Sequence, residues 1–196
     1  DVDIDNSATN ATVNVLTEKK GNSIIGISGV NDITIQKKDD SGNLVVNTEQ
    51  HVYGQKIILD KDNYGNGTYE IELTTNSGKK VKKDVVVDGI NLPKPVITVS
   101  GNHYAADGVS AGNAYKSGTW TRGKEIRLEV NVTNTADAGT NLTYEYQEDG
   151  ENTWTQFSND GKDNVMKVSG SGKHAINIRA VNASGTTSDT YYFNVW

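Results

Sequence analysis

Apolar and polar residues alternate along this chain with a period of two, and no stretch carries the stripe of an amphipathic helix. Glu125-Ile126-Arg127-Leu128-Glu129-Val130-Asn131-Val132 sets a charged or polar residue before each aliphatic one. Successive side chains of an extended strand point to opposite sides, so this pattern gives one buried and one wetted face. Residues 69–73 repeat it, with Tyr69, Ile71 and Leu73 on the inner side, and residues 174–180 do so again. Further strands are predicted over 13–16, 33–36, 55–59, 81–87, 96–99, 142–146 and 191–195. Short alternating segments separated by Gly, Asn and Asp read as an antiparallel β-sandwich.

The pattern occurs twice. Gly67-Thr68-Tyr69-Glu70-Ile71 leads into Asn76-Ser77-Gly78 and then Val85-Val86-Val87. Gly172-Lys173-His174-Ala175-Ile176 leads into Ala183-Ser184-Gly185 and then Phe193-Asn194-Val195. Gly67 and Gly172 lie 105 residues apart and Gly78 and Gly185 lie 107 apart, about one immunoglobulin-sized domain of roughly 100 residues. Between the two copies runs Asp88-Gly89-Ile90-Asn91-Leu92-Pro93-Lys94-Pro95, which holds both prolines of the chain. Each proline fixes its own φ and restricts the residue before it, so a short, stiff joint is expected here. The expected class is all-β: two tandem immunoglobulin-like antiparallel β-sandwich domains, residues 1–92 and 93–196. Val2-Asp3-Ile4-Asp5 is similar to the joint, so residues 1–8 are expected to be the tail of a linker from a preceding domain.

Composition narrows the function classes. The chain of 196 residues has a formal net charge of −6. Eleven Lys against fourteen Asp and Glu in residues 1–94, and eight Lys and Arg against eleven acids in 95–196, give each half −3. This charge argues against nucleic acid as a partner, because phosphate binding needs a basic footprint. No run approaches the roughly 18 apolar residues of a membrane helix, so no membrane insertion is expected. With no cysteine there is no disulfide, no thiol chemistry and no Cys-based zinc site.

Residues 95–196 resemble the bacterial Ig-like (Big-type) repeats of large Gram-positive surface proteins and adhesins. The opening strand is Pro95-Val96-Ile97-Thr98-Val99-Ser100-Gly101, and Trp120-Thr121-Arg122-Gly123-Lys124-Glu125-Ile126 is similar to the "WTnG" strand of those repeats. Tyr144-Glu145-Tyr146, followed by Asp149-Gly150 and Thr153-Trp154-Thr155, is similar to their central hairpin, and Ala180-Val181-Asn182-Ala183-Ser184-Gly185 to their late turn. Residues 1–92 match more weakly, through residues 67–87. The resemblance implies an extracellular, cell-wall or cell-surface location, a non-catalytic role, no catalytic residues and a monomeric unit within a longer chain. It differs from the repeats between Gly101 and Trp120, where they are short and this chain has eighteen residues. A long loop on a rigid scaffold is a common place for added binding. His103, Tyr104, Tyr115, Lys116 and Trp120 are therefore the candidate ligand-binding residues. Trp120 and Trp154 also occupy repeat positions where packing accounts for them, and a loop that packs Tyr104 and Tyr115 onto the sandwich is an equal alternative to their exposure.

Other motifs carry less. Gly108-Val109-Ser110-Ala111-Gly112 fits G-x-S-x-G, but a nucleophile elbow needs a buried strand before it and a helix after it, and neither is predicted. Asp1-Val2-Asp3-Ile4-Asp5 and Asp60-Lys61-Asp62-Asn63-Tyr64-Gly65 echo Ca²⁺ loops, yet Thr12 and Ile71 stand where an EF-hand needs its twelfth-position Glu. A weak linker Ca²⁺ stays open; otherwise no cofactor and no metal is expected. Tyr69, two residues after Gly67, fits a tyrosine corner, whose hydroxyl bonds backbone upstream. His174 falls at the repeat position of Tyr69, a half-buried strand site. Lys79-Lys80-Val81-Lys82-Lys83 reads as a solvated hairpin that discourages edge pairing.

Three functions fit. The first is a surface module that binds a host glycoprotein or immunoglobulin through the 102–119 loop. The second is a passive spacer. The third is a carbohydrate-binding accessory module with exposed aromatics, Tyr104, Tyr115 and Trp120.

Overall fold

A computed structural model describes residues 2–7, 9–15, 18–20, 23–25, 30–52, 56–122, 125–157 and 162–196. Asp1 of the first acidic run, Leu16 and Gln55 of the predicted strands, and Gly123 and Lys124 of the "WTnG" segment lie outside them. The chain divides into two compact units, Asp1–Asn91 and Leu92–Trp196.

The strands of the first unit are β1 (Val2–Asn6), β2 (Asn10–Val15), β3 (Glu18–Lys20), β4 (Ser23–Ile25), β5 (Val30–Lys37), β6 (Gln50–Val52), β7 (Lys56–Asp60), β8 (Gly67–Thr75) and β9 (Lys80–Val87). One sheet has the order β1-β2-β7 and the other β6-β5-β8-β9, with β3 and β4 paired as a small separate ladder. Residues 2–6, expected to belong to a linker, instead form β1, which pairs antiparallel with β2 over its full length. Alternation explains the core. Ala11 and Val13 from β2 and Ile57 and Leu59 from β7 are buried, as are Ile33, Ile35, Tyr69, Ile71, Val85 and Val87 from the second sheet.

The second unit comprises β10 (Ile97–Tyr104), β11 (Ala111–Tyr115), β12 (Ile126–Val132), β13 (Leu142–Glu148), β14 (Thr155–Gln156), β15 (Val165–Val168), β16 (His174–Asn182) and β17 (Tyr191–Val195), with a single helical turn, α1 (Thr135–Ala138). Its sheets run β11-β10-β12-β15 and β14-β13-β16-β17. Apart from β11 this is the strand order of the first unit, and all ladders are antiparallel. Two such sheets with crossing connections make an immunoglobulin-like sandwich. Ile126, Leu128, Val130, Met166 and Val168 meet Ile176, Ile178, Phe193 and Val195 in its core.

The paired strands set the relation between the units. Gly67 lies opposite Val87, and His174 lies opposite Val195. From those starts β8 and β16 share the burial sequence of two half-buried residues and then alternate buried positions. The equivalence therefore runs at 107 residues: Tyr69 corresponds to Ile176, and His174 corresponds to Gly67. His174 is half-buried, as expected, but at the mouth of its strand.

Each unit holds its own part of the proline-containing segment through polar side chains. In the first, Asn66 Nδ2 donates to the Ile90 carbonyl and Asn66 Oδ1 accepts the Ile90 N–H, with Ile90 buried. In the second, Asn182 Nδ2 donates to the Pro93 carbonyl, Ser184 Oγ accepts the Leu92 N–H, and Asn134 spans the Lys94 carbonyl and the Val96 N–H.

Candidate functional site

The eighteen residues expected to be a binding loop are mostly built into the second sandwich. β10 runs on to Tyr104 and turns back as β11, which adds an outer strand to the sheet. Asp107 closes the hairpin tip by accepting the Val109 and Ser110 N–H groups. The hydrogen bond from the Ser110 side chain, and after it these two, hold its carboxyl at a pKa of about 2. The G-x-S-x-G sequence is this tip and the start of β11, not a strand–turn–helix, so Ser110 has no nucleophile-elbow geometry.

This hairpin corrects the reading of the aromatic candidates. Tyr115, a candidate for an exposed contact, follows the packing alternative instead: it is 6% accessible and sits in the core against Phe193. Its hydroxyl donates to the Thr119 carbonyl and accepts the Trp196 N–H. A side chain that ends a strand beside the core is drawn in when its ring adds apolar contact and its hydroxyl finds backbone partners. His103 stacks edge-on against Tyr115 at 5.7 Å, and its Nδ1 is buried without a hydrogen-bond partner. Tyr104, one residue on, faces the other side of the sheet, where the Lys167 ammonium lies 5.2 Å from its ring. Lys116 is exposed. The expected cluster of Tyr104, Tyr115 and Trp120 does not form, because strand alternation and burial send the three apart.

Trp120 is the aromatic candidate that stands open to solvent. It is 72% exposed, against the packing expected from its repeat position, whereas Trp154 is half-buried under the Arg179 guanidinium, 4.1 Å from its ring. The segment after β11 runs beside the free edge of β17. Gly118 N–H donates to the Asn194 carbonyl, Asn194 N–H to Ser117 Oγ, and Thr121 N–H to the Trp196 carbonyl. These bonds bring Trp120 to Trp196, with ring centres 6.1 Å apart and planes at 54°. Gly118 makes the required turn with φ +78°.

The two indoles line a cleft of about 220 Å³ together with Val168, Val195 and the loop Ser169-Gly170-Ser171-Gly172. Lys173 follows that loop and carries its ammonium over both rings, 4.6 Å from the Trp196 centre and 5.9 Å from that of Trp120. His174 Nδ1 lies 3.5 Å from Glu148 Oε1. Its Nε2 is buried without a hydrogen-bond partner, beside Gly170, where a Cβ would come within 3.4 Å. Trp196, Lys173 and the Ser–Gly loop were not foreseen as site residues. Their one signal is a Gly-Ser-Gly run ahead of a strand that pairs with the strand leading into Trp196.

The first unit shows a different face. Across β6-β5-β8-β9, Lys80 bonds Glu72, Lys82 bonds Glu70 and Glu72, Lys38 bonds Asp84, and His51 bonds Asp32. These pairs satisfy one another, as expected of a solvated hairpin and its neighbours. Asp60, of the second acidic run, accepts the Asp62 and Asn63 N–H groups and the Asn63 side chain, which closes the turn ahead of Tyr69. Among the described residues no group of three or more His, Asp and Glu is gathered to hold a metal ion, and no helix is long and apolar enough to cross a membrane.

No family model and no curated protein sequence matches this chain. Among solved structures it is similar to the fibronectin(III)-like modules of Clostridium thermocellum CbhA, at 11% identity and TM-score 0.34, covering all of this chain and 93% of that one. It is similar to the extracellular domain of BT3049 from B. thetaiotaomicron at 12% identity and TM-score 0.40, spanning 99% of this chain and 44% of that one. Murine CEACAM1b aligns over both full chains at 10% identity and TM-score 0.33. Likenesses this distant add nothing to the strand order, which by itself makes both units immunoglobulin-like.

Proposed function

We propose that this chain is a non-catalytic, extracellular binding module of a bacterial surface protein, of the kind built from Gram-positive Ig-like repeats. Its partner is a host macromolecule, held at the Trp120–Trp196 cleft of the second unit. The observation that carries the reading is Trp120, 72% exposed beside a second indole. A large aromatic ring held in water by a hydrogen-bonded scaffold is costly to solvation and is a typical hot spot of recognition. The hairpin of residues 102–119 is the support of this site: Tyr115 holds the Trp196 N–H from beneath. A passive spacer has no use for so exposed an indole. The repeat-like residues of 95–196 support the surface location.

The test is capture from human serum and mucosal secretion on the immobilised chain, with Trp120→Ala as control. Removing residues 102–119 is the wrong control, because it takes Tyr115 out of the core. A macromolecule retained by the parent and lost from Trp120→Ala, at an unchanged melting temperature, supports the reading. Equal retention by both moves the site elsewhere. No retention by either leaves a spacer.

A further inference from the structure

We infer that the Trp120–Trp196 cleft takes a carboxylate-bearing sugar ring. This rests on the cleft being the binding site proposed above and names the chemistry of its ligand.

Size comes first. A cleft of about 220 Å³ lies below the roughly 300–1,000 Å³ of pockets that enclose drug-sized molecules. It suits a single ring with its substituents. Shape follows. The two indoles pack on each other with centres 6.1 Å apart, which leaves Trp120, 72% exposed, as the platform, and the C–H face of a pyranose is the apolar surface of a sugar that lies flat on an indole. The remaining wall is hydroxylic: Thr121, Ser169 and Ser171 line the same cleft. A polyhydroxylated ligand exchanges hydrogen bonds with such groups at little net cost, where a purely apolar one would strip them of water.

Charge selects among sugars. No Asp or Glu lines the cleft. Glu148 is set against Nδ1 of His174, while Nε2 is the ring atom beside Gly170. Lys173 holds its ammonium over both indoles, and among the described residues no carboxylate pairs with it. Lys38, Lys80, Lys82, Lys94 and Lys167, by contrast, all have carboxylate partners. On a chain of net charge −6, this cation is left with aromatic faces and no counter-charge. A sugar laid on the exposed Trp120 ring would present its ring carboxylate to Lys173, whose ammonium lies 5.9 Å from that ring's centre, and an ion pair partly shielded by aromatic rings is worth more than one in open water.

The experiment is a glycan array of uronate- and other carboxylate-terminated oligosaccharides beside their neutral parents. Hits are then titrated by tryptophan fluorescence on the whole chain and its variants. The carboxylated sugar is expected to bind at least ten-fold more tightly than its neutral parent. Trp120→Ala should lose at least ten-fold, and Lys173→Gln should weaken the acidic sugar to the level of its neutral parent with no change for the neutral one. Lys173→Arg should restore the preference, which separates charge from packing. Equal binding of acidic and neutral forms, or a preference that survives Lys173→Gln, overturns the inference. If no sugar binds while Trp120 still governs capture of a macromolecule, this inference falls and the proposed function stands. If neither binds, both fall.

Discussion

Tyr69 shows how one hydroxyl ties a loop to a strand. It is buried in the first unit, donates to the Gly65 carbonyl at 2.7 Å and accepts the Gly65 N–H at 3.1 Å. Tyr69→Phe keeps the ring and leaves both backbone groups without a partner, a loss of about 1–3 kcal/mol for a buried polar group. A lower urea midpoint with an unchanged slope is the expected result. His51 gives a pH effect of known sign. Its hydrogen bond to Asp32, with the charge of that carboxylate and then of Glu49, raises its pKa above the ordinary 6.5. A raised folded value means that the pairing contributes fully below about pH 6.5 and fades as pH climbs through the raised value. NMR titration should find His51 titrating above 6.5, and Asp32→Asn should bring it down. An unchanged midpoint in that variant would show that Asp32 is not the cause.

At the scale of elements, the β10–β11 hairpin matters most. Its only exposed large apolar side chain is Val109, at the tip, while Tyr115 at its base belongs to the core. Shortening the tip between Ala105 and Ala111 should leave the melting temperature and ligand binding nearly unchanged. Deleting residues 102–119 should unfold the second unit, as read by thermal denaturation. Gly101 sharpens the same point. A Cβ there would lie 2.5 Å from Phe193 Cζ and 3.1 Å from the Tyr115 carbonyl oxygen. Gly101→Ala therefore forces the sheets apart or the phenylalanine out of its rotamer, at about 1–3 kcal/mol for an overpacked core.

The whole molecule divides its work between units. The first spends its outer sheet face on matched charges, and the second carries the aromatic cleft. All the residues that wall the cleft come from Leu92–Trp196. A compact unit with its own core is expected to fold alone, so residues 92–196 should keep the affinity of the full chain within about two-fold. Residues 1–91 should bind nothing in the same assay. Loss of binding by the isolated second unit would mean that the first contributes to the site.

Alternation alone was enough to read the sandwich. A period of two commits each strand to one buried face, and Ile126, Leu128 and Val130 or Ile57 and Leu59 could face nowhere but inward. The tyrosine corner was legible for the same local reason, since its bond spans four residues. Strands without alternation were not: Ala111–Tyr115 reads as loop because Gly112 and Asn113 carry no pattern, and it becomes a strand only because β10 offers a free edge. The site lay further out of reach. Trp120 and Trp196 are separated by most of the second unit, and they meet through backbone bonds between an irregular segment and β17. Spacing along a chain records which face a residue takes. Which distant residues share a cleft is decided by how strands pair and where their ends fall.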